Sequence, residues 1–195
     1  SPFFKHRFRA SYSRTELVQT PAEFAHPLIR ECLLYLNIEA GLEISHISDL
    51  PGRTGLGTSS AFTVGLLNAL HTLRGDRMTA EDLAREAILI ERDRVGDPGG
   101  HQDQYAAAYG GLNRYDFTTH QGVTVKRLTL PSERIRALED HLLMFYTGME
   151  QSADDTLNEQ QKKISQNNLA LMAMLNMVNE AEEILTRDVN LDTFG

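Results

Sequence analysis

Hydrophobic and polar residues alternate near the start of the chain. Over residues 6–13 the apolar side chains of Phe8, Ala10 and Tyr12 recur at every second position, which is the period of a half-buried strand. Residues 28–36 (LIRECLLYL) follow the spacing of a helix with one buried face, and residues 41–48 (GLEISHIS) that of a second strand. The pattern therefore predicts two strands separated by a helix.

A long helix is predicted to begin at Thr58 and to stop at Gly75. Its apolar face consists of Phe62, Leu66, Leu70 and Leu73, and is widened by Val64 and Leu67. Thr79 with Asp82 resembles a capping box for the next helix, LAREAILIERDRVG, which ends near Gly96. Two buried helices are thus expected in succession.

The second half of the chain mixes short helices and strands. A Pro-Gly-Gly turn precedes a short helix from His101 to Tyr109, which a Gly-Gly pair ends. Strands are predicted at LNRYDF (112–117) and VTVKRLTL (123–130), a helix at SERIRAL (132–138) and a buried strand at HLLMFYTG (141–148). This irregular alternation favours an α+β fold over a doubly wound sheet.

A heptad pattern marks the last part of the chain, after a predicted N-cap formed by Ser152 with Asp155. Its apolar positions are Leu157, Ile164, Leu171, Val178 and Leu185. Five positions also fit a helix that packs within one chain, and we favour that interpretation over a coiled-coil homodimer.

Composition and charge narrow the class of protein. The 195 residues are 41% hydrophobic and 24% charged, and no apolar run approaches the length of about 20 residues that spans a bilayer. The net charge is −8 and the basic residues are scattered, which argues against a nucleic-acid partner. A single cysteine, Cys32, excludes an internal disulfide and a Cys-based zinc site and favours the cytoplasm.

The segment PGRTGLGTSSAF, residues 51–62, is a glycine-rich loop that leads into the predicted helix. It is not a P-loop, because Thr58 stands where the motif needs a lysine, and it is not a dinucleotide loop, because Ser60 replaces the third glycine. Two interpretations remain. The loop and the helix N-terminus bind an anion, with hydroxyls at residues 58–60 available to a phosphate or Mg²⁺, or the hydroxyls only cap the helix.

Glu91 is the first of two candidate carboxylates. On a helix it ends an apolar stripe that includes Ala84, Ala87 and Ile88, whereas Asp82, Arg85 and Arg92 are expected in solvent. A carboxylate at the end of an apolar stripe serves a metal or a partner, or it pairs with a nearby arginine at the rim.

Asp103 is the second candidate carboxylate. It is expected in the first turn of the short helix that follows the Gly-Gly turn. Its charge either stabilises the helix N-terminus or acts on a substrate hydroxyl as a base.

The order of these parts resembles the GHMP kinase superfamily of small-molecule kinases. PGRTGLGTSSAF is similar to the second motif of that family, P-x-x-x-G-L-G-S-S-A, with Thr58 in place of the usual first serine. GDPGGHQDQYAAAYGG and FYTG resemble the branch of D-glycero-D-manno-heptose 7-phosphate kinases and related sugar kinases. The first and third family motifs are absent, so a kinase shortened at both ends is expected.

The resemblance implies an ATP- and Mg²⁺-dependent enzyme. It assigns ATP binding to Pro51, Gly55, Leu56, Gly57, Thr58, Ser59 and Ser60. It assigns Mg²⁺ to Ser59 and Glu91, with Thr58 and Ser60 as alternatives to the serine, and it makes Asp103 the residue that orients or deprotonates the attacking hydroxyl.

The resemblance also implies the domain plan and the substrate. Residues 1–138 would form an incomplete N-terminal domain of the ribosomal protein S5 domain 2-like type, and residues 139–195 the start of a ferredoxin-like C-terminal domain. The implied substrate is a sugar phosphate, foremost the anomeric hydroxyl of heptose 7-phosphate. The alternatives are another sugar, such as fucose or galactose, and a silent fragment that only binds nucleotide or associates with other chains.

Overall fold

A computed structural model describes residues 6–49, 55–120, 122–145, 167–187 and 189–194. They divide into two compact units, one that ends at Tyr109 and one that begins at Gly110. Each unit has its own cluster of buried apolar side chains. The assignment of residues 1–138 and 139–195 to the two domains of a kinase remains a prediction.

The first unit contains a three-stranded sheet. Strand β1 (Phe8–Ser11) lies in the centre, antiparallel to β2 (Thr15–Val18) and parallel to β3 (Glu43–Ser45). The strand predicted at residues 6–13 is confirmed, and the one at 41–48 is present but shorter. Strand β2 does not follow from the sequence pattern, because its four residues carry only two apolar side chains between bends.

Four α-helices accompany this sheet: α1 (Pro27–Tyr35), α2 (Thr58–Arg74), α3 (Ala80–Ile88) and α4 (Gln102–Tyr109), with a 3-10 turn at Pro21–Glu23. The predicted ends of α2 are confirmed, whereas the helix predicted to run to Gly96 is α-helical only as far as Ile88. Gly75 closes α2 with a φ of 84°, in the left-handed region that favours glycine. The Thr79 side chain accepts a hydrogen bond of 3.1 Å from the backbone N–H of Asp82 and so caps α3.

The core of the first unit forms where α1 and α2 pack against the sheet. Leu67 on α2 is fully buried, together with Phe8 and Ala10 on β1 and Ile29 and Leu33 on α1. Cys32 lies in the same core. Burial raises the pKa of this thiol to about 12, so it stays protonated at neutral pH.

The helix that continues from α3 changes its winding. Residues Leu89–Arg94 form a π-helical segment, in which the N–H of Val95 donates to the carbonyl of Ile90, five residues earlier, at 3.0 Å. The wider turn removes three consecutive side chains from solvent: Ile90 and Glu91 are buried, and Arg92 is mostly buried. The prediction that Arg92 faces solvent is therefore wrong, because it assumed regular α-helical spacing.

The second unit contains a hairpin and two helices. Strands β4 (Asn113–Thr118) and β5 (Gly122–Arg127) pair antiparallel, and α5 (Ser132–His141), α6 (Asn168–Thr186) and a 3-10 turn at Leu191–Thr193 follow. The small core consists of Leu130, Leu185 and Leu191. The Arg134 guanidinium donates to the carbonyls of Ile184, Leu185 and Val189 and so fixes the end of α6.

One prediction for the second unit is wrong. The buried strand at residues 141–148 is not found in its described part, since α5 runs to His141 and residues 142–145 are exposed and irregular. No described strand pairs with this segment, and an apolar run without a partner strand cannot bury its backbone. Of the heptad positions, Leu185 is buried and Leu171 and Val178 are exposed. The remaining two, and the cap at Ser152 with Asp155, lie outside the described residues.

Among the described residues, no helix combines the length and the apolar character that crossing a membrane requires.

Leu67 offers a direct test of the α2 packing. Its side chain is 0% exposed, whereas Leu73 on the same helix is 68% exposed. We expect Leu67→Ala to lower the free energy of unfolding by about 2–5 kcal/mol, because it leaves a cavity. Leu73→Ala serves as the control and should change it by no more than about 0.5 kcal/mol. Urea unfolding followed by circular dichroism measures both, and equal losses would contradict the packing described.

Candidate functional site

The described part of the glycine-rich loop leads into α2 with a left-handed backbone. Gly55 has a φ of 75° and Gly57 a φ of 66°, and Gly57 is the N-cap of the helix. Gly57 has no side chain to cap the helix and no capping hydrogen bond is found among the described residues, so the interpretation of the hydroxyls as caps is wrong. Thr58, Ser59 and Ser60 instead form the first turn of α2. Leu56 is exposed in the loop, and Pro51 lies outside the described residues.

Glu91 lies directly beneath this first turn. The carboxylate is 1% exposed and accepts hydrogen bonds from Ser60 Oγ to Oε2 at 2.9 Å and from Thr63 Oγ1 to Oε1 at 2.8 Å. Ser59 Oγ makes a longer contact of 3.4 Å with Oε1, and the Gln104 side-chain amide donates to Oε2. The buried charge is thus compensated by donors from α2 and α4.

The hydroxyls around Glu91 differ in access to solvent. Ser60 and Thr63 are buried, whereas Ser59 is exposed and has the weakest contact with the carboxylate. Ser60 and Thr63 therefore orient the carboxylate from inside. Of the serines at the predicted metal position, Ser59 is the one that a ligand reaches from solvent.

Asp103 approaches the loop from the other side. It lies in the first turn of α4, as predicted, and is half-buried. A Cβ atom at Gly57 would lie 3.3 Å from the Asp103 carboxyl carbon, so the absence of a side chain at Gly57 lets Asp103 come close to the start of α2. The structure thus brings together the three predicted parts: the first turn of α2, Glu91 and Asp103.

Gln104 supplies a further polar group to this site. Its side chain is fully buried, and its Oε1 atom has no hydrogen-bond partner among the described residues. A buried acceptor of this kind calls for a donor from water or a bound group. The Glu91 carboxylate, the Ser59 hydroxyl and this amide oxygen are all oxygen groups, which is the chemistry that fits Mg²⁺ held by one carboxylate with water and phosphate oxygens.

No cluster of three or more His, Cys, Asp or Glu side chains in the described part of the chain is placed to hold a metal by itself. Any Mg²⁺ at Glu91 would therefore depend on oxygens from a bound nucleotide.

Three residues of the site were missed from the sequence. Thr63 lies one turn after Ser59 on the same face of α2, a spacing that would have indicated it. Gln104 is adjacent to Asp103, but which side chain of α4 points inward depends on tertiary packing. The inward orientation of Arg92 depends on the π-helical segment, which the sequence pattern does not predict.

A polar clamp attaches α4 to α3. The hydroxyl of Tyr105 donates to Glu81 Oε1 at 2.9 Å, and that of Tyr109 donates to Oε2 at 3.1 Å. The two tyrosine rings stack with centroids 6.0 Å apart. Burial opposes the charge of Glu81, but the hydrogen bonds from Tyr105, Arg85 and Tyr109 outweigh it and lower the pKa of this carboxyl.

Comparison with known proteins identifies the first unit. Residues 23–111, which contain the loop, Glu91 and Asp103, match the family described as GHMP kinases N terminal domain. This stretch, a little under half of the chain, is similar to the N-terminal domain of GHMP kinases. The family resemblance and the fold predicted from the sequence are thereby confirmed.

Three curated relatives of this chain are sugar kinases by name. A D-glycero-alpha-D-manno-heptose 7-phosphate kinase from Campylobacter jejuni is 34% identical over 60% of the chain and 34% of its own length. A bifunctional fucokinase/GDP-fucose pyrophosphorylase from Arabidopsis thaliana is 27% identical over 84% of the chain and 16% of its own length. A galactokinase from Pyrococcus furiosus is 28% identical over 72% of the chain and 40% of its own length. The chain thus spans less than half of each relative.

Two solved structures share the fold. A D-glycero-D-manno-heptose 1-phosphate kinase from Bacteroides thetaiotaomicron superposes with a TM-score of 0.63 at 24% identity, over 85% of this chain and 57% of that one. A mevalonate kinase superposes with a TM-score of 0.64 at 17% identity, over 96% of this chain and 62% of that one. At these identities the likeness shows the α+β GHMP kinase fold.

The Glu81 clamp predicts a pH dependence of stability. The pKa of Glu81 lies below its ordinary value of 4.5, so its contribution is present above that pH and disappears as the pH falls through the folded-state value. We expect the difference in free energy of unfolding between the wild type and Glu81→Gln to shrink between pH 7 and pH 3. Tyr105→Phe, which removes one donor, should show the same trend to a smaller extent. The free energies of unfolding are measured with urea at each pH. A difference between the wild type and Glu81→Gln that stays the same at every pH would contradict the prediction.

Proposed function

We propose that this chain contains the nucleotide-binding part of an ATP-dependent sugar kinase. The observation that carries the proposal is the convergence of Glu91, the first turn of α2 and Asp103 around Gly57. A helix N-terminus with glycine at the N-cap, next to a buried carboxylate and a second, accessible carboxylate, suits transfer of a phosphoryl group. The GHMP family match and the sugar kinase names of the relatives support this assignment.

The proposed roles follow from position and chemistry. The backbone from Gly55 to Ser60 surrounds the phosphates of ATP, with Leu56, Gly57 and Thr58 in between and Pro51 at the start of the loop. The free N–H groups at the start of α2, together with the helix dipole, attract the negative charge. Transfer of this kind depends on positioning and charge stabilisation, so a covalent intermediate with the protein is not needed.

Ser59 and Glu91 are the proposed Mg²⁺ ligands. Access to solvent favours Ser59 over Ser60, whose hydroxyl is buried against the carboxylate. When bound, Mg²⁺ would neutralise charge on the phosphate oxygens. Ser60, Thr63 and Gln104 hold the Glu91 carboxylate in one orientation.

Asp103 is the proposed base. It accepts the proton of the sugar hydroxyl while the hydroxyl oxygen forms a bond to the γ-phosphorus and the bond from that phosphorus to the bridging oxygen of ADP breaks. Its position next to Gly57 places the carboxylate close to where the loop would hold the phosphates.

The proposed substrate is a sugar phosphate, foremost the anomeric hydroxyl of D-glycero-D-manno-heptose 7-phosphate. The heptose 7-phosphate kinase from Campylobacter jejuni, a relative of this chain, supports this choice of substrate. The fucokinase and galactokinase relatives support the alternative of another sugar. The third alternative is a module that binds nucleotide or associates with other chains without turnover. We also propose that the protein is located in the cytoplasm and that it forms a homodimer.

A substrate panel tests the function. Purified protein is supplied with Mg²⁺·ATP and, separately, heptose 7-phosphate, fucose and galactose, and ADP release is measured. We expect the highest kcat/KM with heptose 7-phosphate, since specificity depends on groups that hydrogen-bond to the sugar. Preference for fucose or galactose would assign the alternative sugar. Absence of turnover with every sugar would refute the kinase proposal.

Replacing Asp103 tests the proposed base. Asp103→Asn should lower kcat by about 10²- to 10⁴-fold and leave the Kd for ATP in calorimetry nearly unchanged, because the amide keeps the shape but does not accept the proton. The matched control is Asp93→Asn, since Asp93 is exposed on the π-helical segment. Full activity of Asp103→Asn would rule out the role given to this carboxylate.

A further inference from the structure

Arg92 is the neighbour of Glu91 on the π-helical segment, and its side chain is only 15% exposed. It points into the turn of residues 97–100, which connects this segment to α4. A long cationic side chain is rarely buried without an array of acceptors, because the guanidinium loses its hydration. The acceptors that surround it indicate what it does.

All three nitrogens of the Arg92 guanidinium bind this turn. Nε and Nη2 donate to the carbonyl of Gly100 at 3.1 and 2.7 Å, and Nη1 donates to the carbonyl of Asp97 at 3.0 Å. Nη1 also donates to Asp97 Oδ1 at 2.5 Å. The same Oδ1 accepts from the backbone N–H of Gly99 at 3.0 Å. The turn is therefore folded around the guanidinium.

The guanidinium of Arg92 occupies the space that a side chain at position 99 would need. A Cβ atom at that position would lie 2.6 Å from Nη2 and 2.9 Å from Cζ of Arg92, which is closer than atoms approach without displacement. Any other residue at position 99 would thus push the guanidinium away. This close approach gives a physical reason for the glycine.

The turn that Arg92 binds leads directly to the proposed base. Gly99 and Gly100 have a large backbone entropy, so without a partner this stretch would sample many conformations. Asp103 lies three residues after Gly100, in the first turn of α4. Arg92 Nη2 also lies 3.8 Å from Glu91 Oε2, so the same cation faces the buried carboxylate.

We propose that Arg92 is a positioning residue that holds the turn of residues 97–100 and thereby keeps Asp103 against Gly57. This inference rests on the proposed function, and it adds a residue that touches neither the nucleotide nor the sugar. Arg92 acts through the backbone that precedes α4. A misplacement of about 1 Å at a reacting group costs as much as 10²-fold in rate, so such a brace has a measurable effect.

Arg92→Lys is the sharpest substitution. Lysine keeps the positive charge near Glu91, but its single ammonium group cannot bind the carbonyls of Asp97 and Gly100 in the fork geometry of a guanidinium. The matched control is Arg94→Lys on the same π-helical segment. Arg94 Nε pairs with Glu31 Oε2 at 3.0 Å, away from the turn. Thermal unfolding by circular dichroism establishes that both variants fold.

Two readouts test the proposal. In hydrogen–deuterium exchange with mass spectrometry, the peptide that covers residues 97–105 should exchange at least about threefold faster in Arg92→Lys than in the wild type or Arg94→Lys. In steady-state kinetics, kcat should fall about tenfold or more while the KM for ATP stays within about twofold, since the loop at α2 is untouched. Gly99→Ala, which keeps the arginine but displaces it, should give the same two results.

A double-mutant cycle separates positioning from general loss of structure. If Arg92 acts through Asp103, then Arg92→Lys should not slow the Asp103→Asn variant any further. Unchanged exchange in residues 97–105, unchanged kcat, or a further additive loss in the double variant would each overturn the proposal. Should the wild type phosphorylate no sugar, the proposed function fails, and the exchange comparison still decides whether Arg92 holds the turn.

Discussion

The buried carboxylate of Glu91 fixes the geometry of the first unit's site. A charge that is withdrawn from water is tolerated only if hydrogen-bond donors surround it, and here the donors come from α2 and α4 while the carboxylate comes from the π-helical segment. The apolar core holds these helices against one another. The directional bonds to Glu91 restrict the rotation of α2 and α4 further, because Ser60, Thr63 and Gln104 must all face one point.

The site has an inner and an outer layer with different tasks. The buried side chains of Ser60, Thr63 and Gln104 give rigidity, and Ser59 with the left-handed Gly57 presents the accessible surface. Such an arrangement is preorganised, in the sense that the polar groups are oriented before a ligand arrives. Two contacts hold the helix α4. Glu81 binds the hydroxyls of Tyr105 and Tyr109 on the helix, and Arg92 binds the turn before it, which limits how far Asp103 can move.

Sequence patterns predicted much of this arrangement and missed its finer part. The apolar face of α2, the cap at Thr79 and the stop at Gly75 follow from local rules, and the stripe that ends in Glu91 made it a candidate site carboxylate, although its complete burial was not predicted. The inward orientation of Arg92 and Gln104 did not follow, because it depends on one extra residue in a helical turn and on contacts with distant elements. The strand expected at residues 141–148 failed for a related reason, since apolar character alone does not supply a pairing partner.

The π-helical segment makes the site sensitive to chain length as well as to residue type. In a regular α-helix, neighbouring residues point about 100° apart. The wider winding lets adjacent positions serve different neighbours, the carboxylate toward α2 and the guanidinium toward the turn before α4. Removal of a single residue between Leu89 and Arg94 would restore α-helical winding and rotate every later side chain of the segment. Insertions and deletions here therefore alter the site in ways that no substitution reproduces.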